Sequence, residues 1–302
     1  MRKGRRFTPA RLTKWSDQGR GTGTGANYQP WHQITRDDPG SRGRSHVLNW
    51  TFGRLHHLLS DQELVAFGFA TMVPDLVDLR EQFPLSPDPH SPDVADYRKD
   101  LAYEQAAGTL DVARELGFKH PIIRKDGVRQ DWVMTTDLVL TVEPPGREVS
   151  LLAVSVKHHD ELDKRRTREL LAIERAYWLQ QGVDWLLLTP QLYEASVGLV
   201  VRVGMHWATG HAQADAEALH ACAALGHRLE GRSMDAALAL ISAHISVDTL
   251  AAQRIFWQSV WTGLLPLRMS WNLRPASPIA LVAPEAFWGQ NPITARRSAW
   301  KD

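Results

Sequence analysis

Two apolar, β-branched runs flank a Pro-Pro-Gly breaker between Val133 and His158: V-M-T-T-D-L-V-L-T-V, then E-P-P-G, then V-S-L-L-A-V-S-V-K-H. Such runs on either side of a turn former predict a β-hairpin. Each strand carries one charge, Asp137 in the first and Lys157 at the end of the second. Next, Glu161 to Gln181 sets Leu162, Leu170, Ile173 and Tyr177 among charges as a helix, and Gly182 marks its stop. V-D-W-L-L-L-T from Val183 to Thr189 reads as another buried strand. Hairpin, helix and strand in this order predict a mixed α/β sheet, its last crossover compatible with a βαβ unit.

Upstream, Ser60 followed by Glu63 is a capping box, with Leu64, Phe67 and Ala70 recurring at helical spacing behind it. Asp75 to Leu85 alternates as a strand does, which would put Arg80 and Glu81 on opposite faces. Lys99 to Gly117 has the apolar stripe of an amphipathic helix, with Gly117 as its C-cap. Beyond Pro190 the pattern changes. Helices are expected over Ala212 to Glu230, over Met234 to His244, and from an N-cap at Ser246 to Gly263. Two short strands, P-L-R-M-S-W-N-L and P-I-A-L-V, should follow, and helices ahead of a hairpin predict a winged helix. The expected organisation is a basic disordered arm over 1–26, an α/β domain over 27–192, a small winged-helix domain over 193–283 and an extended or disordered tail over 284–302.

Composition adds little to this and charge distribution somewhat more. The chain has 302 residues, 43% hydrophobic and 23% charged, with a net charge of +1. No global field therefore drives it onto nucleic acid or membrane. The N-terminus is locally basic through Arg2, Lys3, Arg5 and Arg6, which suits an arm lying along phosphates or a solubilising tail. Cys222 stands alone, which excludes an internal disulfide and a cysteine zinc cluster and suits a reducing cytosol. No apolar run reaches membrane-spanning length and the basic start lacks a signal peptide's apolar core. A cytoplasmic location with no membrane partner is expected.

A buried strand rarely holds a lone carboxylate or ammonium without a partner. Asp137 and Lys157 are therefore either one structural ion pair or two parts of a site. Glu63 is likewise open to two readings, since the third helical position of a capping box is often Glu for structural reasons alone. Together, an acid from a helix, an acid from a strand and a lysine from the next strand can hydrolyse phosphodiesters. Carboxylate oxygens suit Mg²⁺, two ions roughly 3.5–4 Å apart can clamp the attacking and leaving oxygens, and a lysine can orient water or steady charge. This is the layout of the PD-(D/E)xK nuclease fold, a restriction-endonuclease-like mixed sheet flanked by helices.

The flanking text narrows the possibilities. G-R-S-H at Gly43, R-L-H-H-L-L-S-D-Q-E-L at Arg54, D-L-R-E-Q-F-P-L at Asp78 and K-H-P at Lys119 stand in a particular order. They are followed by M-T-T-D at Met134, V-K at Val156 and L-A-I-E-R-A-Y-W at Leu171. From about Tyr28 to Thr189 this series resembles TnsA, the endonuclease subunit of heteromeric Tns-type transposases. The resemblance implies a nuclease using Mg²⁺, with Mn²⁺ able to substitute and two ions bound, that nicks the 5′ ends of a transposon. It also implies double-stranded transposon-end DNA, a TnsB-like DDE transposase and a TnsC-like AAA+ ATPase as partners. Glu63, Asp137 and Lys157 fall on the family's catalytic positions, with Glu63, Asp137 and the Val156 carbonyl as metal ligands.

Where the fold places Glu, Asp or Gln two residues before the lysine, this chain has Ser155. Alternation puts Ser155 and Lys157 on one face, so Ser155 is expected to point into the site, as a poorer ligand than a carboxylate. Glu174 could assist from the following helix, or serve in a salt bridge. Arg44, His46, His57, Arg80 and Lys119 are candidate DNA contacts, the histidines being DNA-facing or structural. Trp257 and Trp261 suit core or partner contacts. A non-catalytic adaptor in the same assembly and a stand-alone nuclease remain as alternatives.

Overall fold

The computed structural model describes residues 7–39, 43–49, 53–210, 212–270 and 276–301. Arg2, Lys3, Arg5 and Arg6 lie outside the described residues. From Pro9 the expected disordered arm is replaced by helix α1 (Pro9–Asp17). Thr8 caps it through its side chain and a proline opens it. Leu12 and Trp15 pack with Trp31, the Trp15 indole donates to Asp38 at 3.1 Å, and Arg20 pairs with Asp38 at 2.9 Å. Composition pointed to disorder because these anchors are aromatic and distant in sequence.

Strands β1 (His46–Asn49) and β2 (Leu55–Leu58) form an antiparallel pair ahead of helix α2 (Asp61–Ala70). Strand β3 (Leu76–Pro84) follows, then helix α3 (Thr109–Glu115). The helix expected from Lys99 thus begins ten residues late. Ala106 is instead bridged to His90 in extended form, and Gly108 lies against the Pro87 carbonyl, where an added Cβ would come within 2.2 Å. Strands β4 (Ile122–Lys125) and β5 (Val128–Asp131) make a hairpin that the pattern reading did not include. Asp126 and Gly127 at its turn both have positive φ, 51° and 79°, as a type I′ turn requires.

The expected hairpin is strand β6 (Thr135–Val142) and strand β7 (Ser150–Val156); helix α4 (Arg165–Leu179) then leads to strand β8 (Asp184–Leu188). These form a four-stranded mixed sheet, order β3-β6-β7-β8, antiparallel except for the β7–β8 pair. Alternation sorts the two faces. Leu138, Leu140, Leu152, Val154, Val156, Leu186 and Leu188 join the core on the α2 side. Val139, Leu151, Ala153, Trp185 and Leu187 join Ile173, Tyr177 and Trp178 on the α4 side.

The remaining helices are α5 (Ala195–Ala208), α6 (Ala216–Ala224), α7 (Gly226–Leu229), α8 (Met234–Ile245), α9 (Thr249–Trp261) and α10 (Pro284–Gly289). Ser246 is the left-handed C-cap of α8, not the N-cap of α9, a task that falls to Asp248. Among the described residues, the two strands expected beyond α9 reduce to one bridge between Leu267 and Leu281. Helix α9 is buried from Ile255 to Trp261, so it cannot serve as an exposed recognition helix. Trp257 and Trp261 are core residues, and the Trp261 indole donates to Thr71 at 3.0 Å. The C-terminal helices share one core with α2 and the sheet.

The tail is ordered as well. Asn291, fully buried, donates to the Phe69 carbonyl, Phe287 and Ile293 fill the core, and Ala299 N–H donates to the Leu187 carbonyl. No single helix is long and apolar enough to cross a membrane; α8 and α9 reach that length only together, bent by 102° at their junction.

Candidate active site

The end of the β6–β7 hairpin opens into a cavity of about 610 Å³. Glu63, Asp137, Val156, Lys157 and Glu174 all line it, so the three residues singled out from sequence do converge. Strand β6 delivers Asp137, whose Oδ2 accepts from Val156 N–H at 2.6 Å and from the Lys157 ammonium at 3.0 Å. The ammonium also donates to the Val156 carbonyl at 2.9 Å. Burial works against the charged ammonium, but Asp137, Glu174 and Glu63 together hold the Lys157 pKa above its ordinary value. Asp137 and Lys157 are thus an ion pair and cavity-lining groups at once.

Glu63 is held by the start of α2. Ser60 Oγ accepts from Glu63 N–H and its hydroxyl donates back to Oε1 at 3.1 Å, while Leu59 N–H donates to Oε2 at 2.8 Å. Glu63 therefore serves the cap and lines the cavity at once. Burial first, and the Asp137 charge second, push the Glu63 carboxyl up to about 7. An acid that holds its proton longer when folded loses stability as pH rises from its ordinary value of 4.5 toward 7. Thermal melts of the metal-free protein across that window should fall more steeply for wild type than for Glu63→Gln.

A further partner of Glu63 escaped the sequence. Gln82 Nε2 donates to Glu63 Oε2 at 2.9 Å, and Gln82 has a φ of 50°, unusual for a residue other than glycine. Within the β3–β6 ladder, Glu81 pairs with Leu138 and Phe83 with Thr136, so this kinked residue falls level with Asp137. No sequence period announces such a kink.

Ser155 does not enter the cavity. Fully buried, its hydroxyl donates to Glu174 Oε1, and its oxygen accepts from the Trp185 indole at 3.1 Å. Thr136 donates to the same Glu174 oxygen at 2.6 Å and is itself fixed by the Trp178 indole at 2.8 Å. The expectation of Ser155 as a metal ligand is corrected: it positions the carboxylate that lines the cavity, reaching it from α4. Burial raises the Glu174 pKa, Lys157 opposes that, and Asp137 adds to it. Ser155→Ala removes one anchor of Glu174 and leaves a buried indole N–H unpaired. It should cost about 1–3 kcal/mol in urea denaturation.

The expected DNA contacts divide. Arg44 and Lys119 are exposed, His46 is half-buried and bonds Asp61 at 2.7 Å, and His57 accepts from Ile34 N–H through Nδ1 at 3.0 Å. His57 thus has a structural partner, and burial lowers its pKa. Arg80 is corrected to a core residue: it is 1% exposed, pairs with Asp96 at 3.1 Å and stacks 4.4 Å from the Phe83 ring. Glu81, on the other side of β3, accepts from both terminal nitrogens of Arg54 at 2.9 Å and bonds His56 Nδ1 at 2.9 Å.

Among the described residues, no three acidic, histidine or cysteine side chains are gathered into a ready metal cage. The donors on the cavity wall nevertheless suit a hard divalent cation. Four carboxylates, Glu63, Asp137, Glu161 and Glu174, share one space with one ammonium, and the burial and the Asp137 charge that raise the Glu63 pKa are both offset by a bound cation.

A mixed sheet carrying acids and a lysine at one end defines a nuclease-like α/β protein. Residues 91–190 match the family described as TnsA-like endonuclease N terminal, a range that includes Asp137, Lys157 and Glu174 and excludes Glu63. The chain is 34% identical over 202 residues to the transposon Tn7 transposition protein TnsA of Escherichia coli, a match covering 67% of this chain and 63% of that protein. The chain belongs to the TnsA family.

Proposed function

We propose that this chain is the DNA-cleaving subunit of a Tn7-type transposition system, hydrolysing phosphodiesters at the 5′ ends of a mobile element. The convergence of Glu63, Asp137, Lys157 and Glu174 on one cavity is the observation that carries the reading. Glu63, Asp137 and Glu174, with the Val156 carbonyl, would hold divalent cations, Mg²⁺ or Mn²⁺. Such an ion, when bound, supplies Lewis-acid activation of water and neutralises charge on the phosphate. The protein's own residues do the rest. Lys157, tied to Asp137 and charged at any physiological pH, steadies negative charge near Asp137. Ser155 and Thr136 fix Glu174 through one oxygen, Oε1, and among the described residues Oε2 accepts no hydrogen bond. Gln82 and the α2 cap fix Glu63.

The relative is named a transposition protein, and a DDE transposase and an AAA+ ATPase are the partners proposed for this chain. The test is reconstitution on an end-labelled transposon-end duplex with Mg²⁺. Cleavage at the 5′ ends only when chain and transposase are combined supports the reading. Cleavage by the chain alone would favour a stand-alone nuclease. Unchanged products when the chain carries Asp137→Ala would leave it an adaptor.

A further inference from the structure

We infer that the β4–β5 hairpin is a phosphate-gripping ribbon that leads duplex DNA into the cavity, an inference that rests on the nuclease reading for its substrate. The hairpin has two faces. Ile123 packs on the Leu12, Trp15 and Trp31 cluster, and α1 lies against both strands, so that face is covered. By alternation, Ile122, Arg124, Arg129 and Asp131 lie on the opposite face. Ile122 also lines the catalytic cavity. The uncovered face is therefore continuous with the cavity wall, and about 7 Å further along the ribbon it presents Arg124.

Arg124 is paired directly with Arg129 across the ladder, and both are exposed. Like charges directly opposite one another destabilise a two-stranded ribbon. Among the described residues neither arginine has an ion pair or hydrogen bond through its side chain. Asp131 shares the face without pairing to either, and nearby Lys125 pairs weakly with Asp126 at 4.0 Å. Two adjacent guanidinium groups kept together at an electrostatic cost, at the rim of a cavity lined by carboxylates, call for a polyanion that spans both. Neighbouring phosphates of a duplex fit, since guanidinium binds phosphate in bidentate fashion and a two-stranded ribbon fits the major groove. The fixed I′ turn and the packing on α1 make this a rigid projection.

The experiment titrates the full-length chain onto a labelled mixed-sequence duplex at several salt concentrations, with cleavage read in parallel on the transposon-end duplex with Mg²⁺ and the transposase present. Arg124→Ala/Arg129→Ala should weaken binding about tenfold and flatten the slope of log affinity against log salt by about two. Arg228→Ala, on α7, should change neither. Arg124→Glu creates an opposite-charge pair, so it should raise the melting temperature while weakening DNA binding. Unchanged affinity and slope in the double variant, or no salt-dependent binding by the wild type, would overturn the inference. Cleavage by the wild type with unaltered binding by the hairpin variants removes the ribbon and leaves the nuclease. A lost salt slope with no cleavage by any form removes the nuclease and leaves the ribbon.

Discussion

Asp137→Asn should give a folded chain whose 5′-strand cleavage falls by about a hundred- to a thousandfold, the scale on which one preorganised electrostatic group at a reacting centre counts. The change is isosteric, and an amide can still accept from Val156 N–H and Lys157, so the hairpin has little reason to move. The charge is what disappears. Asp137 is the second cause that pushes Glu63 up to about 7, so in the variant Glu63 should titrate closer to its ordinary 4.5. Carboxyl NMR titration of both forms checks this independently of activity. Burial keeps the Glu63 carboxyl raised in both forms, so a variant in which its pKa did not fall at all would contradict the closeness of the two carboxylates.

The second large effect concerns stability. Arg54→Met should destabilise the protein by about 3–5 kcal/mol, because it leaves a buried charge without its principal partner. Glu81 is fully buried, and Arg54 gives it two hydrogen bonds while also donating to the Leu79 carbonyl at 2.6 Å and the Gly25 carbonyl at 3.1 Å. Burial alone would raise the Glu81 pKa; the His56 hydrogen bond and the His56 and Arg54 charges reverse that and hold it at about 2. A depressed carboxyl contributes stability that is complete above its ordinary 4.5 and lost as pH falls toward 2. Urea denaturation at neutral and acid pH should show the gap between wild type and Arg54→Met narrowing as the medium is acidified. The effect reaches the site because Gln82, beside Glu81, aims its amide at Glu63.

The parts of this site visible in the sequence are those that local rules control. Strand alternation placed Asp137 and Lys157 on one hairpin, and the Ser-x-x-Glu box placed Glu63 at a helix start. Gln82 was invisible because its role depends on a positive φ that no pattern encodes. Ser155 was misread for a different reason. Alternation does put it on the α4 side of the sheet, but depth decides its task, and Trp185 with Glu174 holds its hydroxyl there. Glu174 belongs to the site only because α4 crosses back over β7, a tertiary fact. The β4–β5 hairpin was legible after all: Asp126-Gly127 between two short strand-like runs is a strong turn signal. The winged helix rested on two short apolar runs, between which the described residues show one bridge, Leu267 to Leu281.

The tail that crosses the sheet has a consequence for behaviour in a crowded solution. Strand β8 is a sheet edge, and an open edge is a template for pairing with strands of other chains. Here Ser298 Oγ accepts from Leu187 N–H at 3.0 Å while Ala299 N–H donates to the Leu187 carbonyl at 2.8 Å, and Trp300 stands edge-on to Trp185. With one side-chain hydroxyl and one backbone N–H the polypeptide thereby occupies both backbone groups of Leu187, so a strand from another chain is kept from pairing with the edge at that residue.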